Sequence, residues 1–108
     1  MASILIIDDN DAVRTALEVL ISLQGHRVLT ASSPDEGLRT LAKEQIDLVL
    51  QDMNFRKEAT SNEEGIALFH ATREHYPTVP IVLLTTWTHL ETAIDLVKTG
   101  AADYIAKP

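Results

Sequence analysis

Apolar residues are distributed along the chain in two alternating patterns. Short dense runs at Ser3–Ile7 (SILII), Arg27–Ala31 (RVLTA), Ile46–Gln51 (IDLVLQ), Pro80–Thr85 (PIVLLT) and Asp103–Ala106 (DYIA) read as strands. The first, third and fourth are nearly continuous in apolar residues, the pattern of strands covered on both faces in a parallel sheet. Between the runs the spacing becomes helical. Val13, Ala16, Leu17, Leu20 and Leu23 recur every three or four residues, and Gly25 follows as a stop. Ser33-Pro34-Asp35-Glu36 reads as an N-cap, a proline at the first helical position and a capping-box glutamate. Ser61-Asn62-Glu63-Glu64 and Thr88-His89-Leu90-Glu91 repeat that spacing, and Gly100 ends a helix from about His89 to Thr99. Leu90, Ala93, Ile94 and Val97 form the inner stripe of that fourth helix.

Strands alternating with helices imply right-handed parallel crossovers. The expected fold is therefore α/β: a doubly wound, five-stranded parallel sheet in the order 2-1-3-4-5, the flavodoxin-like arrangement. The fifth strand also needs a helix on its outer face. The sequence stops at Lys107-Pro108 before one could form, so a final helix is expected to be missing and the chain to be a fragment.

With 108 residues, 45% of them apolar, the chain can build one compact domain and not two. Cysteine is absent, which removes disulfides and thiolate metal sites. The N-terminal apolar run is too short for a signal peptide or a membrane span, so a soluble cytoplasmic protein with no membrane partner is expected. A net charge of −7 argues against direct nucleic-acid binding, which needs a basic patch. His26, His70, His75 and His89 are scattered without metal-ligand spacing and read as surface or capping residues.

Topology gives the acids a different weight. In an open parallel sheet, ligands bind outside the carboxyl ends of the strands where the order reverses. The first strand ends at Asp8-Asp9, the third at Asp52, the fourth at Thr85-Thr86 and the fifth at Lys107. Each has an ordinary alternative. Asp8, Asp9, Asn10 and Asp11 could cap the first helix, Asp52 could be a solvated loop acid, Thr85 a plain strand residue and Lys107 a surface charge. Jointly they place carboxylates, a hydroxyl and an ammonium on one rim. Carboxylates so close repel unless a cation neutralises them. Mg2+ held by carboxylates, waters and a phosphate oxygen would orient a phosphoryl donor against a carboxylate nucleophile.

The stretch QDMNFRKEATSNEEG follows the third strand. It carries no proline and no glycine before Gly65, so Phe55 to Thr60 reads as a mobile connection with no assigned chemistry.

The acid pair in IIDDN, the Asp ending LVLQD, the Thr of PIVLLTT and the closing KTGAADYIAKP occur in that order at the right strand ends. On these pieces the whole chain, residues 1–108, resembles the receiver domain of two-component response regulators. The resemblance implies that Asp52 accepts a phosphoryl group from the phosphohistidine of a sensor histidine kinase or a phosphotransfer protein. Asp8 and Asp9 would hold Mg2+ together with Asp52 and the backbone carbonyl of Asn54. Thr85 and Lys107 would contact the phosphoryl oxygens, with a cis Lys107-Pro108 bond, and Thr85 and Tyr104 would form the conformational switch. Tyr104 also reads as a core aromatic. The fourth helix and fifth strand would dimerise or meet an output domain beyond Pro108, such as a transcription activator of the ATPase-containing enhancer-binding class.

The chain departs from the family where Met53-Asn54-Phe55-Arg56 lacks the usual Met-Pro pair and where Thr86 and Trp87 replace smaller residues after Thr85. The second departure predicts altered dephosphorylation. Two other functions stand beside the phosphoacceptor. One is a phosphorylation-independent interaction module on the same fold. The other is an aspartate-nucleophile phosphohydrolase, which would want D-x-D after the first strand where this chain has adjacent aspartates.

Overall fold

The computed structural model describes residues 1–53, 55, 63–86 and 90–107. Five parallel strands form one sheet in the order β2-β1-β3-β4-β5. They are β1 (Ser3–Ile7), β2 (Arg27–Ala31), β3 (Leu48–Asp52), β4 (Ile81–Thr85) and β5 (Asp103–Ala106). The helices are α1 (Asp11–Leu23), α2 (Pro34–Lys43), α3 (Glu63–His75) and α4 (Leu90–Thr99). This is the expected doubly wound architecture.

Alternation along the strands divides the core. Leu5, Ile7, Val49, Met53, Ile81 and Leu83 face Leu41 of α2, Leu68 and Phe69 of α3, and Ala93 and Leu96 of α4. Ile4, Ile6, Leu50 and Leu84 face the other way, against Leu17 and Ile21 of α1. Three helices thus cover one face and α1 the other, among the described residues. No helix among them is long and apolar enough to cross a membrane.

The strand limits shift slightly from expectation. The third strand begins at Leu48, because Asp47 is occupied with Ser3: the Ser3 N–H donates to Asp47 Oδ2 at 2.7 Å and the Asp47 N–H to the Ser3 carbonyl at 2.8 Å. At its other end Asp52 stays in the ladder opposite Leu84. The fourth strand starts at Ile81, since Pro80 has no N–H to give the ladder.

Helix ends follow the sequence where they are described. Gly25 (φ +87°) and Gly100 (φ +146°) take backbone conformations that favour glycine and terminate α1 and α4. Ser33 caps α2, accepting from the Glu36 N–H at 3.2 Å. The reciprocal half of the capping box differs: Glu36 Oε2 reaches past Ser33 and accepts from the N–H and hydroxyl of Ser32. The caps expected at Ser61 and Thr88 lie outside the described residues.

Two expected inner stripes are corrected. On α1 the residues against the sheet are Leu17 and Ile21, while Leu20 and Leu23 are 60% and 75% exposed because no described helix runs alongside. On α4, Ala93 and Leu96 are buried and Ile94 faces out. Phe55, expected in a mobile segment, is a core residue at 6% exposure, and the rest of that segment lies outside the described residues.

Candidate functional site

The carboxyl ends of β1, β3, β4 and β5 lie side by side, and the chain direction fixes what each delivers to the rim. β1 runs through four buried apolar residues into Asp8, whose N–H bonds the Ala31 carbonyl of β2 at 3.1 Å. Asp8 Oδ1 accepts from the Asn10 N–H at 2.9 Å, and Asn10 Oδ1 caps α1 by accepting from the Val13 N–H at 3.1 Å. Arg14 donates to the Asp8 carbonyl at 2.7 Å and pairs with Asp11. The capping alternative thus belongs to Asn10, and Asp8 is left facing the rim with its second oxygen.

Asp8 is wholly buried, and Asp52 at the end of β3 is 1% exposed. One carboxylate oxygen from each of Asp8, Asp9 and Asp52 lies within 4.8 Å of the others. Lys107, just past β5, is held by its own N–H on the Thr85 carbonyl at 2.8 Å. Its Nζ reaches Asp52 Oδ1 at 2.6 Å and Asp8 Oδ2 at 3.1 Å. Burial pushes the ammonium pKa down, but the hydrogen bond and charge of Asp52, followed by those of Asp8, outweigh it and hold the pKa above the usual 10.5.

Among the described residues three carboxylates meet one ammonium at this rim, and two of the acids are out of water. Buried carboxylates gathered this closely need positive charge beside them. All the donor atoms are hard oxygens at a spacing that a small divalent cation fits, so Asp8, Asp9 and Asp52 could hold Mg2+. Thr85 ends β4 beside them, 1% exposed, and its hydroxyl donates to the Thr86 carbonyl at 3.1 Å.

Asp8, Asp9, Asp52, Thr85 and Lys107 therefore converge as expected from the sequence. Tyr104 does not join them. It pairs with Leu83 in the ladder and packs half-buried against the core on the α4 side. Asn54 and the Lys107-Pro108 bond lie outside the described residues. Sequence reasoning missed Arg14, which braces the Asp8 backbone, and Gln51, which is wholly buried one residue before the acid. The signal for Gln51 was available: a long polar residue at an inward register position of an apolar strand.

Comparison with known proteins agrees with this geometry. The sequence profile of the response regulator receiver domain matches residues 4–108. The transcriptional regulatory protein AfsQ1 of Streptomyces coelicolor is 38% identical over 110 residues, covering 100% of this chain and 45% of that protein. The response regulator protein FleR of Pseudomonas aeruginosa is 33% identical over 107 residues, covering 99% of this chain and 22% of FleR. The chain thus spans less than half the length of these relatives. Among solved structures, a response regulator receiver domain protein from Clostridium thermocellum superposes with a TM-score of 0.88 at 34% identity, covering 100% of this chain and 83% of that one. The response regulator TrrA of Thermotoga maritima, solved with Mg2+-BeF, gives 0.83 at 26% identity, with 100% and 88% covered. The chain belongs to the response regulator receiver domain family, the signalling phosphoacceptor domains of two-component systems.

Proposed function

We propose that Asp52 is the phosphoacceptor of a Mg2+-dependent switch. The observation that carries this reading is the Lys107 ammonium bridging two buried carboxylates, Asp52 and Asp8, beside a third acid on the same rim. A carboxylate oxygen of Asp52 attacks the phosphorus of a phosphohistidine, from a sensor histidine kinase or a phosphotransfer protein. The O–P bond of an acyl phosphate forms, the N–P bond breaks, and the leaving imidazole nitrogen is left free to take a proton. Asp8, Asp9 and Asp52, with the Asn54 carbonyl, would hold Mg2+, which when bound neutralises charge developing on the phosphoryl oxygens.

Lys107 already touches the attacking carboxylate, so its ammonium can pass to a phosphoryl oxygen with little movement. Thr85 must exchange its present acceptor, the Thr86 carbonyl, for a phosphoryl oxygen. That exchange is a discrete rearrangement at the end of β4, next to the strand that carries Tyr104, and it supplies the bistable element of a switch. The output we infer is control of transcription by a further domain in the cytoplasm, as the names of similar proteins suggest. The outward Ile94 of α4, together with the exposed edge strand β5, supports a homodimer or output contact there.

The test is incubation with Mg2+ and acetyl phosphate, read as the mass gain of one phosphoryl group. It is expected in the wild type, lost with EDTA and lost in Asp52→Asn. An unchanged gain in Asp52→Asn would overturn the assignment.

A further inference from the structure

Val49, Gln51 and Met53 alternate onto the face of the sheet covered by α3, and Val49 and Met53 belong to the apolar core there. Gln51 is wholly buried between them. Its Nε2 donates to the Gly65 carbonyl in the first turn of α3 at 2.8 Å and lies 3.4 Å from the carbonyl of Asp52. Its Oε1 takes no hydrogen bond among the described residues. An apolar side chain would fill the same space without leaving a buried acceptor unsatisfied, so packing does not explain an amide here.

What the amide does is join two carbonyls, one from α3 and one from the acid itself. Contact at the same point is enforced from the helix side. A Cβ on Gly65 would stand 2.4 Å from the Met53 carbonyl oxygen, so the α3 backbone rests directly on the backbone of Met53, the residue after Asp52. Between them, Gln51 and Gly65 fix how the chain leaves β3.

We propose that Gln51 is a positioning residue for the Asp52 carboxylate, resting on the reading of Asp52 as phosphoacceptor. It touches neither the ion nor the phosphoryl group. By holding the Asp52 peptide against α3, it sets the direction in which the carboxylate meets Asp8 and Asp9. The geometry of the metal-binding triad, more than the stability of the fold, depends on it.

The test compares wild type with Gln51→Met and Gln51→Leu, which keep most of the volume and lose the amide. Mg2+ affinity of the unphosphorylated domain is read by calorimetry, the Mg2+ half-saturation of acetyl phosphate labelling by mass, and the thermal midpoint separately. Both variants should keep or raise the midpoint while both Mg2+ constants rise about tenfold, the scale of lost outer-shell support. Either variant folded with wild-type Mg2+ constants overturns the proposal. Shifted Mg2+ affinity in a domain whose wild type takes no phosphoryl group would uphold the positioning role and remove the acceptor reading instead.

Discussion

The Lys107 ammonium spans the rim from β5 across β4, lying 2.6 Å from Asp52 Oδ1 on β3 and 3.1 Å from Asp8 Oδ2 on β1. One side chain thereby ties the last strand to the two central ones through charge. Removing it in Lys107→Met leaves buried carboxylates facing each other, at a cost of roughly 3–5 kcal/mol of stability in Mg2+-free buffer. The sign with pH follows from the raised pKa. The stabilisation is complete below the unfolded value of 10.5 and is lost as pH rises through the higher folded value. Wild-type unfolding free energy should therefore fall more steeply above that pH than that of Lys107→Met. Equal alkaline slopes in denaturant titrations would remove Lys107 from the account.

Mg2+ should stabilise the fold by mass action, by about 2.7 kcal/mol at a hundredfold excess over its dissociation constant. Neutralising one acid should act in opposite directions in the two conditions. In EDTA, Asp9→Asn relieves repulsion within the triad and raises the thermal midpoint. In Mg2+ it forfeits a ligand and the ion no longer protects the fold. Thermal scans of both proteins in both buffers check this, and an Asp9→Asn midpoint that rises with Mg2+ as the wild type's does would exclude Asp9 as a ligand.

Arg73 performs a purely architectural task and should separate stability from function. Its guanidinium donates to the carbonyls of Tyr76, Pro77 and Val79 at 3.3, 2.9 and 2.8 Å and to that of Gly100 at 3.2 Å. It also stands 5.8 Å from the centre of the Phe69 ring. The loop entering β4 and the turn entering β5 are thus pinned to α3 by one planar fork. Arg73→Ala should cost about 3 kcal/mol, and Arg73→Lys should recover less than half, because an ammonium cannot bridge several carbonyls at once. Labelling per folded molecule by acetyl phosphate should stay at the wild-type level in both.

The site acids were legible because each ends a run of apolar residues, and strand order then places those ends together. Asp8, Asp52 and Lys107 need nothing beyond that argument. The long-range partners of Gln51 and Arg73 were not legible, although Gln51 itself shows as a polar residue at an inward strand position. Gln51 and Arg73 act through contacts 14 and 27 residues away along the chain, which no local pattern encodes. The stripe on α1 misled for a different reason. Two adjacent stripes of that helix are apolar, Val13-Leu17-Ile21 and Ala16-Leu20-Leu23, and periodicity alone does not say which meets the sheet. Phe55 was obscured by the polar stretch around it, although its spacing from Met53 is that of two residues on one side of an extended chain.

The start of α2 gives a small acid-dependent contribution with a defined sign. Glu36 accepts from the Ser32 hydroxyl at 2.8 Å and from its N–H at 3.2 Å, and these bonds, with the nearby Arg39 and Arg14 charges, hold its carboxyl below the ordinary 4.5. A carboxyl whose folded pKa is lowered contributes stability above its unfolded pKa, and that contribution is lost as pH falls through the lower folded value. The group is largely solvated, so the effect is modest. Ser33→Ala removes the cap on the Glu36 N–H instead and should cost about 1 kcal/mol at any pH where the domain is folded. Glu36→Gln should cost less at neutral pH, and that cost should vanish once the pH drops well below 4.5. Urea titrations at neutral and acid pH distinguish the two, because only the Glu36 variant should converge on the wild type in acid. A Glu36→Gln deficit that persists in acid would mean that shape, not charge, holds Ser32.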